Sequence, residues 1–185
     1  CDKHKIYLVE DAAQAQGSRY KGKTVGGFGE MACYSFYPGK NLGACGEAGG
    51  LTTNNETYAK HLQSLRNHGS TVRYYHDEIG YNYRLVNVAA AMGVAQMELL
   101  PGFLTRKKEI IAFYKNELAN TGDIEFQEVS EDVHPNWWLP TIKTTKQREV
   151  LKVLNDHKMQ SRPFWVPMNQ LPMFTGNIYY NKTDR

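Results

Sequence analysis

Asp11, Ser35 and Lys40 are the residues of this sequence whose types and positions best suit chemistry. Lys40 lies on the glycine-punctuated turn Pro38-Gly39-Lys40-Asn41-Leu42-Gly43, directly after an apolar segment. A lysine that loses solvation in such a place has a lowered pKa, and its amine can then act as a nucleophile that forms Schiff bases. The bland alternative is a solvated surface charge. Ser35 closes the apolar segment before that turn, where its hydroxyl can hydrogen-bond an anion such as a phosphate. A strand-end serine satisfied by backbone is the alternative there. Asp11 follows the run Ile6-Tyr7-Leu8-Val9, which delivers carboxylates to a strand's C-terminal end, the place where open α/β sheets keep their ligands. Asp11 reads equally well as the cap of a following turn. In a chemical role it needs a cationic partner, and the pyridinium nitrogen of pyridoxal phosphate is one, since a carboxylate beside it keeps the ring protonated and electron-withdrawing. One strand-end carboxylate, one Schiff-base lysine and one phosphate-binding hydroxyl make up that cofactor's minimal set.

Other constellations are weaker. His68 and His76 have no ligand partner at three or four residues, so no metal site is expected. His68 after Arg66-Asn67 reads as a helix-end histidine favoured by the dipole, or as a residue near substrate. A Ser35, His68 and Asp11 hydrolase lacks the GxSxG elbow around its serine. Trp137-Trp138 and Trp165 can stack on a sugar or a base, but aromatic residues in a small α+β unit are usually core. Tyr37, His68, Arg162 and Trp165 are kept as candidate substrate contacts, with Trp165 the preferred aromatic one.

The elements that must position these residues follow from periodicity. A short strand over Ile6–Val9, a short β segment between the turns at Tyr20–Lys23 and Gly26–Gly29, a strand over Met31–Phe36 and another at Leu51–Thr53 are predicted. Tyr58, Ala59, Leu62 and Leu65 fall at helical spacing and predict a helix over Glu56–Arg66, with Asn55 as cap and Gly69 past its end. Val86–Leu100 reads as a buried helix, and Pro101 as the opening of a second one to about Ala119, with a domain junction along it. Beyond Gly122 the pattern predicts strands at Ile124–Val129 and Trp137–Lys143, a helix over Lys146–His157 and an extended piece over Gln160–Val166, a small α+β unit. Thr175–Arg185 is polar without a period.

Composition narrows the class. The chain has 185 residues, 41% hydrophobic and 22% charged, as in an ordinary globular protein and unlike a disordered or fibrous one. That length suffices for a sizeable core. No run approaches the roughly 18 apolar residues of a membrane span, and the first residues carry no apolar signal stretch, so a soluble, cytoplasmic protein with no membrane partner is expected. The net charge of +3 is spread along the chain, which gives nucleic-acid binding little support. Cys1, Cys33 and Cys45 are too widely spaced for a disulfide framework or a CxxC-type metal site and fit a reducing compartment. A chain opening on Cys1 with almost nothing before its first strand reads as a piece of a longer protein.

Four segments occur in order: Val9-Glu10-Asp11-Ala12-Ala13-Gln14-Ala15-Gln16-Gly17, Ser35-Phe36-Tyr37-Pro38-Gly39-Lys40-Asn41, Leu65-Arg66-Asn67-His68-Gly69 and Gly80-Tyr81-Asn82-Tyr83-Arg84-Leu85. Together they closely resemble the DegT/DnrJ/EryC1/StrS family of pyridoxal-phosphate-dependent sugar aminotransferases. The segment Gln160-Ser161-Arg162-Pro163-Phe164-Trp165-Val166-Pro167-Met168-Asn169 is similar to that family's small-domain substrate segment, particularly in its LegC-like members.

The resemblance implies an α/β protein of PLP-dependent transferase fold type I, a mostly parallel sheet with flanking helices plus a small C-terminal α+β domain. Residues 1–105 would form the C-terminal part of the large cofactor domain and 106–185 the small domain, incomplete at its end. It implies that Lys40 holds pyridoxal 5′-phosphate as a Schiff base and moves protons, that Asp11 pairs with the pyridinium nitrogen, that Gln14 meets the ring hydroxyl side and that Ser35 binds the phosphate. Asn82 would reach the phosphate of the neighbouring subunit's cofactor, so the enzyme would be a homodimer with a shared active site. The expected reaction moves an amino group from L-glutamate to a nucleotide-linked keto-sugar, a 4-keto-6-deoxy-HexNAc in preference to the C-3 alternative. Two rivals stand beside it: a branch that carries histidine in place of the lysine and dehydrates at C-3, which Lys40 argues against, and a non-catalytic cofactor-binding or interaction protein of the same fold. Family members are about twice this length, and the N-terminal half that supplies a further phosphate-binding turn and a ring-stacking aromatic residue is not in this sequence.

Overall fold

The strand that ends in Asp11 starts later than its apolar run predicts. In the computed structural model, which describes residues 1–174 and Gly176, β1 spans Val9–Asp11. Ile6 and Tyr7 stay exposed, and the Leu8 N–H donates to the Glu30 carboxylate at 2.6 Å. A hairpin of β2 (Arg19–Tyr20) and β3 (Lys23–Thr24) leads to β4 (Met31–Ser35), and β5 (Gly49–Thr52) follows. β1 and β4 pair in parallel, Val9 opposite Met31 and Asp11 opposite Cys33. Both strands therefore end at the same edge, with Ser35 two residues past the position opposite Asp11 and its N–H donating to the Ala13 carbonyl. β5 runs antiparallel to β4, with Ser35 opposite Gly49. The sheet order is β1-β4-β5.

Successive strand residues face opposite sides, so Glu10 points away from Asp11. Its carboxylate accepts the N–H groups of Gly26 (2.7 Å), Phe28 (2.6 Å) and Gly29 (2.7 Å) and so clamps the turn that returns the chain to β4. Burial pushes the Glu10 carboxyl up, but the three backbone donors and the charge of Lys23 outweigh it and hold it below the ordinary glutamate value. Gly26 sits at φ +94° with the Tyr34 hydroxyl where a Cβ would go, so only glycine suits this turn.

Helix α1 (Glu56–Leu65) forms as predicted, with Asn55 Oδ1 accepting the N–H groups of Thr57 and Tyr58. Past its end the chain folds back on itself: Tyr81 donates to the Leu65 carbonyl, His68 to that of Tyr81, and Tyr83 to that of Arg66. The backbone at Gly80 touches that at Gly69 and His68, which no side chain at position 80 could permit.

The expected pair of helices around Pro101 is one helix, α2 (Asn87–Glu117), with the proline inside it. A proline removes one helical hydrogen bond and costs about 3 kcal/mol. Several helical turns continue on either side, and the Thr105 hydroxyl donates back to the Pro101 carbonyl at 3.0 Å. The same helix corrects the expectation about membrane spans: it is long and apolar enough to cross one by length and composition.

The C-terminal pattern is shorter in strand than expected. β6 (Glu125–Phe126) and β8 (Ile142–Lys143) pair antiparallel, and α3 (Gln147–Asp156) follows, its approach fixed by Asp123 accepting from Thr144 Oγ1 and the Thr145 N–H. Trp137–Thr141 is not strand, because Asn136 to Trp138 cross to the Lys40 turn instead. Between β6 and β8 lies an unpredicted strand, β7 (Val133–His134), which pairs with β2 and not with its sequence neighbours. Gln160–Val166 carries no regular element. The reading of Thr175–Arg185 lies outside the described residues apart from Gly176.

The expected large core is absent among the described residues. The buried apolar side chains are Ala12, Ala32, Leu42, Ala44, Ala89 and Ile111. The accessible surface is 14918 Å², whereas a folded monomer of 21.1 kDa exposes about 9,000 Å². The uncovered apolar side chains include Val88, Met92, Val94, Met97 and Leu99 along α2.

Candidate active site

Two parallel strands and the turn after the second build the site. Asp11 ends β1, Ser35 ends β4, and Tyr37–Lys40 form a turn in which the Lys40 N–H donates to the Tyr37 carbonyl at 2.9 Å. Asp11 does what its bland reading expected, since its Oδ1 accepts the Ala13 N–H at 3.1 Å. The Cys33 thiol lies 3.8 Å from the same oxygen. Both contacts fix the carboxylate by the same oxygen, Oδ1. The Ser35 hydroxyl oxygen accepts the Tyr37 N–H at 3.3 Å, so its own O–H proton remains available to an anion.

Lys40 is half-buried. Burial lowers the pKa of its amine, and the charge of Asp11 works upward against that; the balance falls below the ordinary lysine value. The two predicted residues thus share one electrostatic environment. The Lys40 ammonium also lies 3.8 Å from the centroid of the Trp138 ring.

Trp138 arrives by a long-range tie that the sequence reading missed. Asn136, 7% exposed, donates through Nδ2 to the carbonyls of Gln14 (2.6 Å) and Gln16 (3.0 Å). Its Oδ1 accepts the Trp138 N–H at 3.0 Å, and its carbonyl accepts Asn41 Nδ2 at 3.2 Å. Its N–H donates to Ser18 Oγ at 3.2 Å. One buried amide therefore joins the Gln14–Ser18 loop, the Lys40 turn and the Trp137-Trp138 pair. Trp137, bracketed by these bonds, is held at φ +50°. Gln16, also buried, donates to the carbonyls of Ala13 and Ser35 and so ties the loop after β1 to the end of β4.

The remaining candidates divide. Gln14 is exposed beside Asp11, and its carbonyl anchors Asn136. Tyr37 is exposed on the turn. Trp165 is exposed and stacks on Trp138 at 5.9 Å and 19°, with Phe164 edge-on to it, which brings the Gln160–Asn169 segment to the Lys40 side. Arg162 is exposed within that segment. Asn82 and His68 lie elsewhere, in the folded-back loop after α1: Asn82 pairs with Asn67, and the His68 carbonyl meets His76 Nδ1 at 2.9 Å. A cavity of about 260 Å³ opens behind Asn136 between Arg19, Lys108 and His134; neither Lys40 nor Asp11 lines it.

One family model matches residues 1–185, that of the DegT/DnrJ/EryC1/StrS aminotransferase family. The chain belongs to that family. Among its relatives, GDP-perosamine synthase of Escherichia coli O157:H7 is 37% identical over 92% of this chain and 47% of its own length. The dTDP-3-amino-3,4,6-trideoxy-alpha-D-glucose transaminase of Streptomyces venezuelae is 35% identical over 95% of this chain and 46% of its own. The crystal structure of S. venezuelae DesV in complex with a ketimine intermediate superimposes with a TM-score of 0.89 at 33% identity, over 98% of this chain and 49% of that one. This family member spans about half the length of the curated relatives it matches. Its fold is that of the family's solved aminotransferases, and the aminotransferases of the family use pyridoxal 5′-phosphate.

The side chains present fit that cofactor. A partly desolvated amine, a carboxylate in its electrostatic reach and a hydroxyl with a free proton stand at one sheet edge, matching a carbonyl, a cationic ring nitrogen and a phosphate.

Proposed function

We propose that this chain carries the lysine-bearing half of an aminotransferase that moves an amino group from L-glutamate to a nucleotide-linked keto-sugar. The observation that carries the reading is the placement of Lys40, half-buried on the turn after β4, within the charge field of Asp11 at the end of the neighbouring parallel strand. Pyridoxal phosphate bound there would withdraw electrons from the substrate carbon that gives up its proton. Lys40 Nζ would attach the cofactor, and as a free amine it would take that proton and return it at the next carbon, work suited to a pKa lowered toward neutrality. Asp11, anchored through Oδ1, would offer Oδ2 to the ring nitrogen. Ser35 would donate its O–H to the phosphate, and Gln14 would meet the ring hydroxyl side.

The apolar faces left open along α2 and at Ile6–Val9 suit packing by further polypeptide of the same enzyme. In the same reading Asn82 serves the cofactor of a second subunit in a homodimer, residues 106–185 form a small domain, and Tyr37, His68, Arg162 and Trp165 face substrate. Trp165 has the most support, since its exposed ring reaches the lysine side through Trp138. The three cysteines are free, which fits a cytoplasmic enzyme.

The sugar is taken to be a 4-keto-6-deoxy-HexNAc, on the similarity of Gln160–Asn169 to the LegC-like segment. The test is to supply full-length protein with cofactor, L-glutamate and the nucleotide-linked 4-keto sugar or its 3-keto isomer. Stoichiometric 2-oxoglutarate and a 4-amino sugar are expected. A 3-amino product would correct the position, and no 2-oxoglutarate with either sugar would overturn the proposal.

A further inference from the structure

The placement of Trp138 is more specific than core packing requires. Its Nε1–H donates to the Gly39 carbonyl at 2.7 Å, within the very turn that carries the lysine. Its backbone N–H is held by Asn136 Oδ1, and its carbonyl accepts Lys107 Nζ from α2 at 3.2 Å. Trp165 stacks against the indole. A ring fixed from this many directions cannot follow the lysine; the lysine must conform to it. At 3.8 Å from the ring centroid, the ammonium is well inside the range in which an indole face attracts a cation.

We propose that Trp138 is a positioning residue for Lys40, holding the free amine over its indole face and stabilising its protonated form. Three influences then act on Nζ. Burial favours the neutral amine, whereas Asp11 on β1 and the indole face favour the charged one. Lys107 on α2 is the other charge at this contact, and it is directed to the Trp138 carbonyl. An indole differs from a second carboxylate in an important way: it stabilises the cation without presenting a base that would take the proton. Under the aminotransferase reading, on which its functional weight rests, this keeps Nζ aimed and protonatable whenever the amine is unattached.

The test leaves the cofactor out, so that it stands apart from that reading. The pKa of Lys40 is measured in cofactor-free full-length protein, by the pH dependence of acetic anhydride labelling of the Lys40 peptide read by mass spectrometry. Trp138→Leu keeps an apolar cover but removes the π face, and it should lower the pKa by about one unit, the size of a partly desolvated cation–π contact. Trp138→Phe loses the Nε1–H bond to Gly39 but keeps a face, and it should shift the pKa by less than half as much. Fluorinated tryptophans placed at position 138 keep the shape while draining the face of negative potential. They should lower the pKa step by step with fluorine count, and they decide the matter if the leucine variant fails to fold. A pKa unmoved by fluorination, raised in Trp138→Leu, or shifted equally by Phe and Leu would overturn the proposal. The visible spectrum of the same protein with pyridoxal phosphate tests the aminotransferase reading independently.

Discussion

Removing the Asn136 side chain should be among the most damaging changes to this region. The amide makes three side-chain hydrogen bonds in a site 7% exposed: two donated to the carbonyls of Gln14 and Gln16, one accepted from the Trp138 N–H. Asn136→Ala leaves two carbonyls and one N–H without partners where water has little access. At about 1 kcal/mol for each bond, with added desolvation cost for those stranded, the loss is about 3 kcal/mol. Asn136→Asp keeps the acceptor for Trp138 but turns a carboxylate toward two carbonyl oxygens, so it should be no better than alanine at neutral pH. Urea unfolding of the full-length protein and both variants measures this. Because the same amide carries Trp138 to Lys40, the alanine variant should also lose quenching of tryptophan fluorescence by bound cofactor. A stability change below about 0.5 kcal/mol, the range of ordinary surface substitutions, would refute the account of Asn136 as the tie between these segments.

The Glu10 clamp makes a pH-dependent prediction. Glu10→Ala frees the N–H groups of Gly26, Phe28 and Gly29 and should cost about 1–2 kcal/mol at pH 7, discounted for partial solvent exposure. Since the folded-state pKa lies below the ordinary one, this contribution is full above the ordinary glutamate pKa and fades as the pH falls through the lowered value. Denaturation of both proteins at pH 7 and pH 3 should show the gap closing with acid, and a constant gap would contradict the clamp. Gly80→Ala places a methyl against the backbone of Gly69 and His68 and should destabilise by about 1–3 kcal/mol. An unchanged melting temperature would show that this close approach is not kept.

The parts of the site that came from the sequence were local. A carboxylate at a strand end, a serine at the next and a lysine on the following turn are set by short apolar runs and by Pro38-Gly39, and the parallel register of β1 and β4 brings them together. The α1 cap at Asn55 was equally local. Asn136 and the tie of Trp138 to the lysine turn were not visible because they act across long separations, Asn136 on Gln14 and Gln16 and Trp138 on Gly39. No period marks such a residue. The only trace is a polar Asn136 between Pro135 and two tryptophans, where an exposed loop would not put so much aromatic surface. Pro101 misled for a related reason. Its local signal says break, and the continuity of α2 depends on helical turns on both sides that outweigh one lost hydrogen bond. Val86–Leu100 misled as well: its apolar composition predicted a buried helix, whereas Val88, Met92, Val94, Met97 and Leu99 stay exposed among the described residues, because composition reports that a face is apolar and not what covers it.

The most direct test of the central claim, that Lys40 is the amine that holds and serves the cofactor, is an absorbance spectrum of full-length protein with pyridoxal phosphate, before and after excess L-glutamate, beside Lys40→Ala. A visible band that appears with the cofactor, moves to shorter wavelength with L-glutamate, and is missing from a folded Lys40→Ala variant is the result this account predicts. A band of equal strength in Lys40→Ala, or none in the folded wild-type protein, would contradict it.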